Sequence, residues 1–248
     1  MTYCVGILVR DGLVMLADTR TNAGLDNIAV FRKLHLFEEP GERVIGLASA
    51  GNLAVTQSVL TLLTEGMPNP ETGETETLLS APSMFKAAQM VGRAIREVHR
   101  LDGLSLEQTQ SGTFDVTILV GGQIKGGRLR LFMVYAAGNF IEATTDTPYL
   151  QVGEHKYGKP ILDRSVVAGT DLSDAVKLAL ISMDSTMRSN LTVGLPIDLL
   201  VIRRDRYQAE ISHRIDAAEP YFHDLRERWS AALRSAHQSI PPPPYKPR

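Results

Sequence analysis

A single cysteine, Cys4, and the absence of any charge excess set the first limits on this chain. One thiol cannot form an internal disulfide framework or a cysteine-rich zinc site. The formal net charge is −2 and the basic residues are dispersed, which leaves no electrostatic footprint for nucleic acid or an anionic membrane. The densest basic run, Arg203-Arg204-Asp205-Arg206, reads as a solvated turn. No apolar run approaches the ~20 residues that span a bilayer, and the first residues lack the basic and apolar regions of a signal peptide. A reducing, cytoplasmic setting is therefore expected, with neither membrane nor nucleic-acid partner. The six histidines are scattered, and none lies in an H-E-x-x-H helix or beside a G-x-S-x-G elbow. His155 reads as a loop residue. The glycine-rich stretch 121–127 lacks the G-x-x-x-x-G-K-[ST] pattern of a phosphate loop. No metal or cofactor is expected.

What is present suits a soluble globular fold: 44% hydrophobic and 22% charged residues over 248 positions. Residues 3–9 alternate as a strand and are followed by Arg10-Asp11-Gly12 and the apolar run 13–17, a hairpin signature. A three-residue loop with Gly12 left-handed predicts that Thr2 pairs with Arg20 and Cys4 with Asp18, so that Asp18 shares the face of Thr2. Further strands are expected at 31–37, 44–48, 114–120, 129–135, 140–144, 149–152, 196–202 and 208–215. Helical spacing marks 52–63, 83–101, 171–190 and 219–238, with Gly103 and Pro220 as stop and start signals. Residues 66–77 read as a mobile surface loop. Strand runs interrupted by paired helices imply an α+β fold, a four-layer αββα sandwich of two antiparallel sheets. Residues 1–215 form one domain in this reading, followed by a helix and proline-rich tail over 216–248.

Three positions carry chemistry together. Met1-Thr2 is a sequence from which methionine aminopeptidase removes Met1, and no leader precedes it, so a threonine with a free α-amine is expected. Such an amine can act as general base for its own hydroxyl. A nearby lysine ammonium keeps that amine neutral by like-charge repulsion, and a carboxylate keeps the lysine charged when buried. Lys33, in Phe31-Arg32-Lys33-Leu34, and Asp18, in Leu16-Ala17-Asp18-Thr19-Arg20, supply these roles.

Thr2, Asp18 in its Ala-Asp-Thr-Arg segment, Lys33 and the strand end Gly46-Leu47-Ala48-Ser49-Ala50-Gly51 resemble proteasome β subunits and HslV-type peptidases. The segment 189–198, the stretch 153–160 and the terminal helix and tail are most similar to the ancestral-β-subunit (Anbu) branch of that family. The resemblance covers residues 2–215. It implies an N-terminal nucleophile hydrolase in which the Thr2 hydroxyl attacks a peptide or protein substrate and the amine takes the proton. Asp18 and Lys33 tune the amine, and the Gly46 amide stabilises the oxyanion. Arg20, Thr21 and Ala48 would form pocket walls. The family also implies self-association into a ring or open spiral, and an unfoldase partner for which the sequence shows no docking motif.

Three positions depart from the family pattern: Glu154, Asn190 and Val193 stand where hydroxyl and carboxylate side chains assist the amine. Glu154 would tend to raise the amine's pKa and make it a less available base. Low or selective activity is one expectation. A catalytically weak scaffold subunit and a small-amide hydrolase on the same fold remain open alternatives. The terminal helix places Phe222, Leu225, Trp229, Leu233 and Ala236 on one stripe, suited to the chain's own core or to a neighbouring subunit.

Overall fold

The computed structural model describes residues 1–22, 28–70, 72–107 and 115–245. Its strands are β1 (Tyr3–Val9), β2 (Gly12–Asp18), β3 (Arg20–Asn22), β4 (Ile28–Val30), β5 (Leu34–Glu39), β6 (Arg43–Gly51), β7 (Met67–Pro68), β8 (Thr75–Glu76), β9 (Val116–Ile124), β10 (Arg130–Val134), β11 (Phe140–Glu142), β12 (Tyr149–Gly153), β13 (Ile197–Arg203) and β14 (Ile211–Ile215). The helices are α1 (Leu53–Glu65), α2 (Met84–Glu107), α3 (Lys159–Ser165), α4 (Leu172–Ser189) and α5 (Pro220–Ser239).

Two five-stranded antiparallel sheets stack face to face, one in the order β12-β1-β2-β13-β14 and the other β11-β10-β9-β6-β5. Alternation along each strand feeds three apolar layers. Val5, Ile7, Val14 and Leu16 pack outward against α4 and α5, and Leu47, Val120 and Phe132 pack outward against α1 and α2. Cys4, Leu13, Met15, Ala48 and Leu200 fill the space between the sheets. The architecture is the expected αββα sandwich.

Several local expectations change. The β1–β2 hairpin closes on a two-residue turn, with Val9 opposite Gly12 and Cys4 opposite Ala17. Gly12 is a strand residue there, because a Cβ would meet the Ile202 carbonyl oxygen at 2.5 Å where β13 lies alongside. The whole register is thereby one residue off the expected pairing. Gly121 and Gly122 belong to β9 rather than to the following turn. Gly121 pairs with Gly46 of β6, and a Cβ at either position would press on the Met15 sulfur from the facing sheet. The pair makes a notch that lets the sheets approach. Helix α2 runs through Gly103 to Glu107, so that glycine does not end it. The first residue of the strand expected at 114–120 lies outside the described residues. Residues 66–77 contain the small β7–β8 hairpin, and α3 was not anticipated.

Helix α5 is anchored at its start. Phe222 and Leu225 are buried against the α4 layer with Trp229 beside them, whereas Leu233 is 52% exposed. Asp184 of α4, fully buried, accepts hydrogen bonds from Arg226 of α5 at 2.5 Å and from Arg188 at 3.0 Å. Arg226→Met leaves Asp184 with one half-exposed partner. Its expected cost is about 1–3 kcal/mol in urea unfolding, with faster hydrogen exchange confined to α5.

Candidate active site

The site is built where the two sheets meet at the start of β1. Asp18 closes β2, and beyond it Thr19 turns the chain out of the sheet. The Thr19 amide and hydroxyl both donate to the Pro196 carbonyl, at 3.1 and 2.7 Å. With the observed register Asp18 sits level with Tyr3, not with Thr2 or Cys4. Its Oδ1 accepts the Tyr3 backbone amide at 3.0 Å.

Lys33 reaches the same oxygen from the other sheet. Its Nζ donates to Asp18 Oδ1 at 2.9 Å and to the Arg20 carbonyl at 2.6 Å. Its own carbonyl accepts from the Ser49 amide at 3.0 Å, which fixes it against β6. Both charged groups are buried, Asp18 completely and Lys33 to 6% exposure. Burial pushes the Asp18 carboxyl above its ordinary pKa, against the opposing pull of the Lys33 ammonium and the Tyr3 and Gly194 amides.

Thr2 immediately precedes β1 and is held on the flank away from β2. Its carbonyl accepts from the Glu154 amide at 2.6 Å. Gly153 makes that approach feasible: its φ is +84°, and a Cβ there would sit 2.0 Å from the Thr2 oxygen. A cavity of about 330 Å³ opens here, lined by Thr2, Lys33, Arg20, Thr21, the β6 end Ser49-Ala50-Gly51, and Gly153.

The expected pocket residues divide. Arg20 and Thr21 line the cavity, whereas Ala48 points into the inter-sheet core. Gly46 lies deeper in β6, where a Cβ would meet Leu200 and Met15 at 2.7 Å, and it is not part of the lining. The residues of β6 at the cavity are three to five positions later. Glu154 and Asn190 come together, Asn190 Nδ2 donating to Glu154 Oε2 at 3.1 Å. Val193 is core, packed in the α4 layer. The Arg20 guanidinium donates to the Leu191 carbonyl at 2.7 Å and rests over Gly194, where a Cβ would be 2.5 Å from its central carbon. Sequence reasoning missed Gly153 and the Arg20 carbonyl. A backbone oxygen leaves no trace in side-chain identity, but a glycine beside the nucleophile's strand was a readable signal.

No protein-family model matches the chain. It is 25% identical to proteasome subunit beta 2 of Pyrobaculum islandicum over 215 residues, 84% of this chain and 94% of that protein. Among solved structures, the Gly-1 mutant of Anbu from Hyphomicrobium sp. strain MC1 is 49% identical with a TM-score of 0.89, covering 99% of this chain and 100% of that one. Anbu from Yersinia bercovieri is 47% identical, with a TM-score of 0.89 and coverage of 98% and 100%. The chain belongs to the Anbu branch of the proteasome β-subunit family. An Anbu complex from Pseudomonas aeruginosa, solved as a helical assembly, is 46% identical with a TM-score of 0.90, covering 98% of each chain. Anbu membership makes the fold a proteasome-like N-terminal nucleophile hydrolase fold. Among the described residues no helix is long and apolar enough to cross a membrane.

The raised Asp18 pKa has a definite sign. Its contribution to stability is present below the unfolded value and is lost as pH rises through the folded one. Urea unfolding between about pH 7 and pH 4 is therefore expected to show the wild type gaining on Asp18→Asn as the pH falls. A difference that stays flat across that window would contradict the burial effect.

Proposed function

We propose that this chain is a threonine-type peptidase in which Thr2, freed by removal of Met1, attacks a peptide or amide bond. The observation that carries this reading is that Lys33, paired with the buried Asp18, lines the same cavity as Thr2. Before processing, the Thr2 nitrogen belongs to a peptide bond and has no basic lone pair. After it, the amine accepts the hydroxyl proton as the Thr2 oxygen attacks the substrate carbonyl. The amine then returns the proton to the leaving nitrogen, and water resolves the acyl-enzyme. Lys33 keeps the amine neutral by repulsion and Asp18 holds Lys33 in place. The Ala50-Gly51 end of β6, which borders the cavity, is better placed to offer an oxyanion amide than Gly46, whereas the Ser49 amide already donates to the Lys33 carbonyl.

Glu154 favours a second reading, a weakly active assembly subunit. It is buried beside Gly153 and tied to Asn190, adding a carboxylate where the family uses neutral donors. A small-amide substrate on the same site is a variant of the first reading. Intact-mass measurement with a peptidyl epoxyketone, which needs both the free amine and the hydroxyl, separates the two. One adduct on a chain lacking Met1, and none on Thr2→Ala, is expected. A chain that loses Met1 yet is neither labelled nor active on peptides is the scaffold.

The P. aeruginosa Anbu complex is a helical assembly, and we infer that this chain likewise self-associates into a ring or open spiral in the cytoplasm. Leu233 of α5 and Ile240 just after the helix support this, since both are exposed. Deleting residues 231–248, which spares the Phe222, Leu225 and Arg226 anchors, is expected to lower the mass found by light scattering. An unchanged oligomer would remove α5 from the interface.

A further inference from the structure

A second cavity, of about 590 Å³, opens at the other end of the sandwich. Strand β1 (Tyr3–Val9) separates Thr2 from Arg10, eight steps at ~3.3 Å each or about 26 Å, and the two cavities share no lining residue. Four arginines from three chain segments converge on it. Arg10 comes from the β1–β2 turn, Arg204 from the β13–β14 turn, and Arg128 and Arg130 from the start of β10.

The lining contains one carboxylate, Glu142, and Arg130 already holds it bidentately at 2.7 and 2.5 Å. The Arg204 guanidinium is fixed by the Arg10 carbonyl at 2.5 Å and the Val9 carbonyl at 3.3 Å, both neutral. The side chains of Arg10 and Arg128 carry no hydrogen bond or ion pair to any described residue. Among the described residues, three of the four positive charges thus have no ion-pair partner. Arg204 is held by carbonyls in one orientation, which is preorganisation rather than neutralisation. Gly169 leaves room beside Arg10, whose Nη2 is 3.9 Å from where a Cβ would stand.

We propose that this cavity binds a small organic polyphosphate. Guanidinium forks present paired N–H donors that match phosphoryl oxygens, and three uncompensated charges suit adjacent phosphoryl groups better than a single carboxylate. The volume lies within the range of small-molecule pockets. Leu8 and Leu129, also in the lining, offer apolar surface for the uncharged part of the molecule. This site is independent of Thr2, and its occupancy does not rest on peptidase activity.

Calorimetric titration of the full-length protein with inorganic tripolyphosphate and with a nucleoside triphosphate tests the proposal. Saturable binding of both is expected, tighter for the organic ligand, with affinity falling as salt rises. Arg10→Gln and Arg128→Gln should each weaken it by about tenfold or more. Both side chains are exposed and unpaired, so the variants should keep the parent melting temperature. No saturable binding at about 1 mM ligand, or affinity unchanged in both variants, would overturn the site. Equal affinity for a polyglutamate peptide would instead assign the arginines to an acidic protein segment and overturn the small-molecule ligand.

Discussion

The Asp18–Lys33 ion pair is the constraint on which the rest of the arrangement depends. Asp18 ends a strand of one sheet and Lys33 leads into a strand of the other, so their contact at 2.9 Å ties the sheets at the end where Thr2 lies. Removing one partner of a buried pair leaves an uncompensated charge and costs about 3–5 kcal/mol. Neither residue is therefore free to vary alone. The same two side chains also hold the Tyr3 amide and the Arg20 carbonyl, which sets the strand after Thr2 and the turn leading to the cavity wall. Holding the fold and tuning the proposed nucleophile fall to one contact.

A second group of contacts surrounds the loop between α4 and β13. Thr19 grips the Pro196 carbonyl, Arg20 the Leu191 carbonyl, and Glu154 the Asn190 side chain. Glu154 and Asn190, two of the departures from the family pattern, satisfy each other. Reverting Asn190 alone would take a partner from the buried Glu154 carboxylate. Val193 belongs to the hydrophobic layer beneath and has no direct part in this exchange.

The layers of the fold were legible because alternation and helical spacing are strong over most of the chain, and because Thr2, Asp18 and Lys33 carry a recognisable spacing. The β1–β2 register was not. Asp11-Gly12 advertises a glycine turn, yet Gly12 is needed where β13 crowds the strand, a demand visible only once a partner distant in sequence is in place. Gly121 and Gly122 misled in the same way, since close sheet packing and a tight turn both ask for glycine. The contact of Asp18 with Lys33 survived the wrong register because Lys33 enters from the segment before β5, outside the β1–β2 hairpin, so the hairpin's pairing does not decide it. Gly46 was misplaced for want of depth: position along β6 separates a packing notch from the cavity rim, and the sequence marks both with small residues.

The placement of β1 between β2 and β12 has a consequence for how the molecule is made. Its hairpin partner emerges from the ribosome at once, but its other neighbour, Tyr149–Gly153, is followed by the Glu154 amide that holds the Thr2 carbonyl, and β13, which flanks β2, comes later still. During most of synthesis the Thr2 carbonyl is therefore without its Glu154 partner. The start of β1 is in this way completed late, by a strand made long after its hairpin partner.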